Sequence, residues 1–277
     1  MESTKSYPIV LSIAGSDSSG GAGIQADIKT FSALGVYGAT AITAITAQNT
    51  LGVFSQLHLD SKLVYEQICC VMDDLHPSVV KIGMLGNAEI IHSVANALSK
   101  YNVAIVLDPV MVSTSGHRLL SMESRDVIKE KLLPMSAIVT PNIPEMIELT
   151  DMPLSNVTEK EAAAKYLLAL GVRNVLLKGG HENGNIKTDF LFYFDSDKLV
   201  TKAFSSETVV TKNTHGTGCT LSSAIASFIA KGFSVEESVA KAKQYVSDAI
   251  FHGADIAIGN GHGPVNHLFN PHKMIVL

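Results

Sequence analysis

The sequence predicts an α/β protein, a three-layer α/β/α sandwich with a mostly parallel central sheet. Short apolar runs rich in β-branched residues recur along the chain, as in strands buried on both faces. Segments with helical apolar spacing alternate with them, the order of a parallel sheet covered on two sides. No internal repeat, low-complexity linker or composition break divides the 277 residues, so residues 1–277 are read as one domain. Hydrophobic residues at 46% and charged residues at 17% provide for a sizeable core and exclude a mainly disordered chain.

The elements follow in order. Ile9–Ile13 is the first strand and Ala22–Ala33 the first helix. Thr40–Thr46 is the second strand, inside an interval between Lys29 and Asp60 that holds no Asp, Glu, Lys or Arg. The Gly, Thr, Ser, Gln and Asn content there fits a buried strand with flanking loops, not a membrane span. Helix Lys62–Asp74, strand Val79–Ile82, helix Ala88–Ser99 and strand Val103–Leu107 continue the alternation. Helix Ser121–Lys131, strand Ala137–Thr140, a capped helix Ile143–Thr150, helix Glu159–Leu170 and strand Val175–Lys178 extend it. Thr188–Phe194 and Lys198–Phe204 read as a hairpin turning at Asp195-Ser196-Asp197. Two long helices follow, Cys219–Lys231 and Val235–Phe251, and His272–Val276 reads as a final edge strand.

A net charge of −5 argues against a broad nucleic-acid surface. The three cysteines, Cys69, Cys70 and Cys219, are an odd number for a disulfide framework and point to a reducing, cytoplasmic setting. The apolar run Ile9–Ala14 is too short to span a membrane and lacks the basic lead of a secretory signal.

Ligands of such sheets bind beyond the carboxyl ends of the strands. Those ends lead into Gly15 to Gly23, Gln48-Asn49-Thr50, Gly83 to Gly86, Asp108-Pro109-Val110-Met111, Pro141-Asn142 and Lys178-Gly179-Gly180. The first glycine loop formally matches a dinucleotide fingerprint, but no acidic residue stands between Asp27 and Asp60 to hold a ribose. Gly15 to Gly20 has P-loop spacing without the required Lys-Ser/Thr.

The strongest element is Thr211-Lys212-Asn213-Thr214-His215-Gly216-Thr217-Gly218-Cys219, running into a helix. Glycines at a helix start leave backbone N–H groups aimed outward, and with the helix dipole they form an anion site suited to a phosphoryl group in transfer. Cys219 alone would be a small apolar cap residue. Within Gly-Thr-Gly-Cys it is read as functional, with a thiol acidified by the helix N-terminus. Lys178, ending a buried strand, either reaches solvent or meets an anion. Asn142 and Glu145 fit a capping box, which does not exclude a link from Glu145 to hydrated Mg²⁺. Asp108 shapes a turn or stands near phosphates. His262, His267 and His272 read as surface or lid residues, and Cys69-Cys70 as mid-helix core.

Together these residues resemble the ribokinase-like superfamily. Within it, the chain is similar to the hydroxymethylpyrimidine and hydroxymethylpyrimidine-phosphate kinases of thiamine biosynthesis, from about Ile9 to His267. The resemblance rests on Ala14 to Asp27 (AGSDSSGGAGIQAD), Ala47-Gln48-Asn49-Thr50, Lys81-Ile82-Gly83-Met84-Leu85, Thr140-Pro141-Asn142-x-x-Glu145, Lys178-Gly179-Gly180-His181 and His215 to Thr220 (HGTGCT). It implies two successive ATP-dependent phosphorylations, of 4-amino-5-hydroxymethyl-2-methylpyrimidine and then of its monophosphate. It places pyrimidine contacts on Gly15, Asp27, Gln48, Met84 and Val110. ATP contacts fall on Asp108, Asn142, Lys178, Thr211, Lys212, His215, Gly216 and Gly218. Glu145 and Asp108 would support Mg²⁺, and Cys219, Gly216, Thr217, Gly218 and Lys178 would carry the chemistry. A homodimer is implied too. Gln48 is chemically apt, because an amide both donates and accepts, as an aminopyrimidine edge requires. The rival readings are a pyridoxal or pyridoxine kinase of the same fold, a non-catalytic nucleotide-binding protein and, third, a dinucleotide oxidoreductase.

Overall fold

The computed structural model describes residues 5–111, 122–180 and 184–277. One nine-stranded sheet organises them. Its strands are β1 (Ile9–Asp17), β2 (Tyr37–Asn49), β3 (Gly52–His58), β4 (Val79–Ile82), β5 (Ala104–Leu107), β6 (Ile138–Val139), β7 (Asn174–Leu177), β8 (Ile186–Asp195) and β9 (Lys198–Glu207). The spatial order is β3-β2-β1-β4-β5-β6-β7-β8-β9. The six strands from β2 to β7 are parallel, and antiparallel strands close both ends.

Helices α1 (Gly23–Ala33), α7 (Thr217–Ala230) and α8 (Val235–Phe251) cover one face. Helices α2 (Ser61–Leu75), α3 (Ala88–Leu98), α4 (Met122–Val127), α5 (Ile143–Thr150) and α6 (Val157–Ala169) lie towards the other. The period of two explains why short unbroken apolar strands work here. Val10, Val79, Val106, Ile138 and Leu176 pack towards α1 and α7. Leu11, Val80, Ile105, Val139 and Val175 pack to the opposite side. The α/β sandwich is as the sequence predicts.

Several boundaries differ. The second strand runs past Gln48, and the segment read as its trailing loop turns back as β3. β3 was not expected because it has no buried face: Phe54 and Leu57 are 68% and 66% exposed, so no apolar alternation marks it. Helix α7 begins at Thr217, two residues before the predicted start. Beyond α4 the backbone widens into a π turn, Ile128–Leu132, then a 3₁₀ turn at Leu133–Met135. Ser121 of that predicted helix lies outside the described residues.

His272–Val276 is not a strand. Its His272 and Ile275 N–H groups donate to the carbonyls of Ala33 and Gly35, so it straps the end of α1 and not the sheet. Cys69 packs partly on the core, whereas Cys70 is exposed. Among the described residues no helix is long and apolar enough to cross a membrane.

One polar cluster sits inside the apolar layers. Asp27 of α1 and Lys81 of β4 are both fully buried, with Lys81 Nζ 2.9 Å from each carboxylate oxygen. Ser12 of β1 and Ser223 of α7 each donate to the same carboxylate at 2.6 Å. Burial disfavours the ammonium, but Asp27 and the more distant Cys219 and Asp108 outweigh it, and Lys81 stays charged.

His267, expected near the surface, is 4% exposed. Thr220 Oγ donates to the Gly216 carbonyl at 2.8 Å, so its lone pair receives His267 Nε2–H at 3.0 Å. Burial first, then the nearby Lys29 and His215, push the imidazole down to about 4.

Two outcomes follow. Removing one partner of the buried pair, as in Lys81→Met or Asp27→Asn, should cost about 3–5 kcal/mol in urea unfolding. Replacing both at once with apolar side chains should recover part of that loss. His267 stays neutral down to about pH 4, while its ordinary value is 6.5. The unfolded chain therefore binds the extra proton between those values, and stability should fall as pH drops from 6.5 to 4. His267→Gln, which keeps a donor, should flatten that part of a thermal-unfolding profile.

Candidate active site

The carboxyl ends of the parallel strands open into one cleft of about 700 Å³. The first turn of α7 forms its floor. Gly216, at the N-cap, has φ 78°, and a Cβ there would stand 1.8 Å from the Gly21 carbonyl oxygen. Only glycine permits both that conformation and that approach of the two glycine loops. No side chain caps this helix. Its first amides, at Gly218 and Cys219, therefore face the cleft without intrahelical partners.

Across from Gly218 stand Lys178 and Asp108; a Cβ on that glycine would lie 3.5 Å from Lys178 Nζ and 3.7 Å from Asp108 Oδ2. Lys178 Nζ is 2.8 Å from Asp108 Oδ1 and 3.7 Å from Glu145 Oε2. Burial opposes the Lys178 charge, but Asp108 and Glu145 more than restore it. Burial also opposes the Asp108 carboxylate, and Lys178 and Lys81 hold it ionised. Glu145 ends on the other side of the balance. Burial, resisted by Lys178 and reinforced by Asp108, pushes its carboxyl up to about 7. Asn142 and Glu145 form the predicted capping box of α5, with both reciprocal bonds present.

Cys219 lines the cleft within electrostatic reach of Asp108 and beside the Gly23 amide. The expected acidic thiol is not found. Burial, only partly offset by Lys81 and reinforced by Asp27 and Asp108, pushes the thiol up to about 11. The helix N-terminus is too weak to reverse this, and the Gly23 N–H directed at the sulfur offsets it only in part.

Gly15, Gln48, Met84 and Val110 line the same cleft. Asp27 does not join them. It is fully buried below Cys219, committed to Lys81 and two serines. Thr211 and Lys212 also stand off the cleft. Thr211 Oγ donates to Ala254 and accepts from Asn213 N–H, bracing the loop from behind, and Lys212 is exposed. His215 is buried and turned towards the first glycine loop, with Nε2 2.9 Å from Asp17 Oδ2. His181 lies outside the described residues.

The sequence reading missed two sets of residues. Asp17 collects the N–H groups of Ser19, Gly21 and Ala22, the Ser19 hydroxyl and His215. These bonds overcome its burial and bring the carboxyl down to about 2. An aspartate just ahead of a Ser-x-Gly-Gly run was the available signal, since such a carboxylate nucleates a turn. The other set is an apolar wall beside the anion end, formed by Val209, Leu221, Val246 and Ile250. Its helical members are indistinguishable in sequence from core positions of α7 and α8. Asp189, bonded to Gly179 N–H and Lys243, fixes the glycine turn after β7.

The phosphomethylpyrimidine kinase family model matches residues 17–266. The chain is 46% identical over 260 residues to the hydroxymethylpyrimidine/phosphomethylpyrimidine kinase of Rhizobium meliloti, covering 94% of this chain and 96% of that protein. It is also 46% identical over 260 residues to the bifunctional thiamine biosynthesis protein of Geobacter sulfurreducens, of which it spans about half, 52%. A pyridoxal kinase of Bacillus subtilis, solved as an ADP complex, superposes with a TM-score of 0.85 at 34% identity, covering 95% of this chain and 98% of that one.

Proposed function

The chain belongs to the phosphomethylpyrimidine kinase family, and from that membership and the two-ended cleft we infer a phosphotransferase that acts twice. It phosphorylates the hydroxymethyl group of 4-amino-5-hydroxymethyl-2-methylpyrimidine from ATP, then converts the monophosphate to the diphosphate, a step of thiamine biosynthesis. The observation that carries this reading is one cleft with two chemically different ends. Amides of α7 and Lys178 stand at the first end, the Gln48 amide at the second, and Cys219 lines the same cleft. The pyridoxal kinase alternative is weaker, because identity to the pyrimidine kinase is 46% against 34% for the pyridoxal kinase.

The residues around Lys178 fit a magnesium ion. The Asp108 and Glu145 carboxyls converge on Lys178 at 2.8 and 3.7 Å, so two carboxyl groups face the same point of the cleft. Two carboxylates suit an ion that takes its other ligands from phosphate and water. When bound there, Mg²⁺ would neutralise charge on the phosphates.

The protein's own groups would act as follows. Lys178 and the amides of Gly218 and Cys219 offset charge on the transferring group. Thr217 and Gly216 hold the turn that aims those amides. Asn142 keeps Glu145 in place through the cap. Val209, Leu221, Val246 and Ile250 offer an apolar wall for the nucleotide base, and Asp108 steers Lys178. Gly15, Met84 and Val110 enclose the pyrimidine while Gln48 meets its amino edge. Cys219 meets the substrate hydroxyl and takes its proton. The thiol must first release its own, which ties the first phosphorylation to pH. In the second phosphorylation the attacking phosphate oxygen is already ionised, and the transition state is loose, so a base matters little.

The three free cysteines suit the cytoplasm. The protein is proposed to pair as a homodimer through the β2–β3 hairpin, where Ile45 and Leu57 face each other across the strands at 49% and 66% exposure. Light scattering should return twice the chain mass, and Leu57→Asp should return the single chain.

A coupled ADP-release assay tests the activity. Hydroxymethylpyrimidine and its monophosphate should both be turned over, pyridoxal more slowly, and absence of turnover on either pyrimidine overturns the reading. Cys219→Ala should slow the first phosphorylation by about 10²-fold or more, with a much smaller effect on the second. It should also abolish the rise of the first-step rate with pH above neutrality. Equal losses in both steps would leave the cysteine a purely positioning part.

A further inference from the structure

Gln25 of α1 reaches back to the end of β1 and holds two consecutive residues there. Its Oε1 accepts the Asp17 backbone N–H at 2.8 Å, and its Nε2 donates to Ser16 Oγ at 2.8 Å. A backbone N–H can only donate, so the amide terminus facing Asp17 is the oxygen and the terminus facing Ser16 is the NH₂. An amide NH₂ has no lone pair to offer. The Ser16 hydroxyl is therefore the acceptor in that bond, and its single hydrogen is not spent on Gln25. Among the described residues no other group accepts that hydrogen.

Ser16 is half-buried and lines the cleft. Its carbonyl accepts from Thr46 Oγ at 2.9 Å, and Thr46 Oγ is 3.2 Å from the Gln48 amide. Ser16 and Gln48 thus belong to one stretch of the cleft, tied through Thr46. The β1–β2 register shifts between Ala14 and Ser16, an irregularity of the kind that re-aims a side chain beside an active site.

We propose that Ser16 is a specificity-determining substrate contact whose O–H donates to a ring nitrogen of the pyrimidine. Gln25 is the positioning residue that reserves this hydrogen for the ligand. The inference rests on Gln48 being the pyrimidine contact, as read above. The chemistry of the substrate selects the atom. Gln48 meets the amino group and the ring nitrogen next to it, and the hydroxymethyl oxygen meets Cys219. The acceptor that remains is the second ring nitrogen, the one beside the ring C–H. A ring with carbon in that place leaves the Ser16 hydrogen without a partner.

Steady-state kinetics on the full chain test this. Ser16→Ala removes the donor. Gln25→Glu keeps an oxygen for the Asp17 N–H but turns the other terminus into an acceptor, which captures the hydroxyl hydrogen. Each should raise KM for hydroxymethylpyrimidine about tenfold and leave KM for ATP within about twofold. Combining them should add little to S16A alone, because both act on one hydrogen. The ring analogue 2-amino-3-hydroxymethyl-6-methylpyridine keeps the amino edge and carries C–H in place of the second ring nitrogen. Its Ki against hydroxymethylpyrimidine should change less than about twofold in S16A. An unchanged pyrimidine KM in S16A overturns the proposal. So does a Q25E effect that persists undiminished in the S16A background, or an S16A penalty as large on the pyridine as on the pyrimidine. If S16A does not fold, Q25E compared on the same two rings carries the test. Lack of pyrimidine turnover by the unaltered protein would remove the functional reading and this inference with it. Turnover with any of the contrary patterns removes the inference alone.

Discussion

The ion pair between Asp27 and Lys81 ties together four elements that have to meet for the cleft to exist. Asp27 comes from α1, Lys81 from β4, and the two serines that complete the carboxylate's bonds come from β1 and α7. Burying a charge without a partner is far costlier than burying a methylene, so the pair permits essentially one packing of those elements. That packing sets α7 with its first turn under the strand ends. The position of Cys219 above this pair, and the height of its thiol pKa, are consequences of the same arrangement.

A chain of net charge −5 handles anionic substrates by concentrating positive potential locally. The amides of one helix turn cost no net charge, and Lys178 adds one cation held by carboxylates that outnumber it. The elevated Glu145 carboxyl is chiefly a result of burial, so that group can lose or gain a proton near neutrality while Asp108 stays ionised. The two ends of the cleft differ in kind as well as sign. The anion end is built from backbone and buried ions, which are indifferent to the group attached to the phosphate. The stretch of cleft around Gln48 instead offers one side-chain amide beside the apolar Met84.

The parallel core was legible because strands buried on both faces leave unbroken apolar runs, and Val79–Ile82 and Val175–Leu177 are such runs. The capping box at Asn142 and Glu145 was legible because capping is local chemistry. β3 was not, because its side chains face solvent on both sides and carry no periodic signal. Asp27 was placed in the ring subsite by its neighbours in sequence; its true environment depends on Lys81, 54 positions away. Cys219 was given a low pKa from the helix end alone, while burial, a three-dimensional quantity, decided the sign. The bond from His215 to Asp17 of the first glycine loop was not legible, because a side chain's direction is not written in its motif.

The contact between Gly21 and Gly216 bears on how this sequence can change. A methyl group on either residue would collide, with the His215 ring in one case and the Gly21 carbonyl in the other. Mutational drift, natural or designed, is therefore blocked one step at a time along this seam. A lineage moving towards another ring system would leave the seam alone and vary cleft-lining side chains outside it, such as Met84 and Val110. New substrate preferences can accumulate there while the phosphate-handling turn stays as inherited.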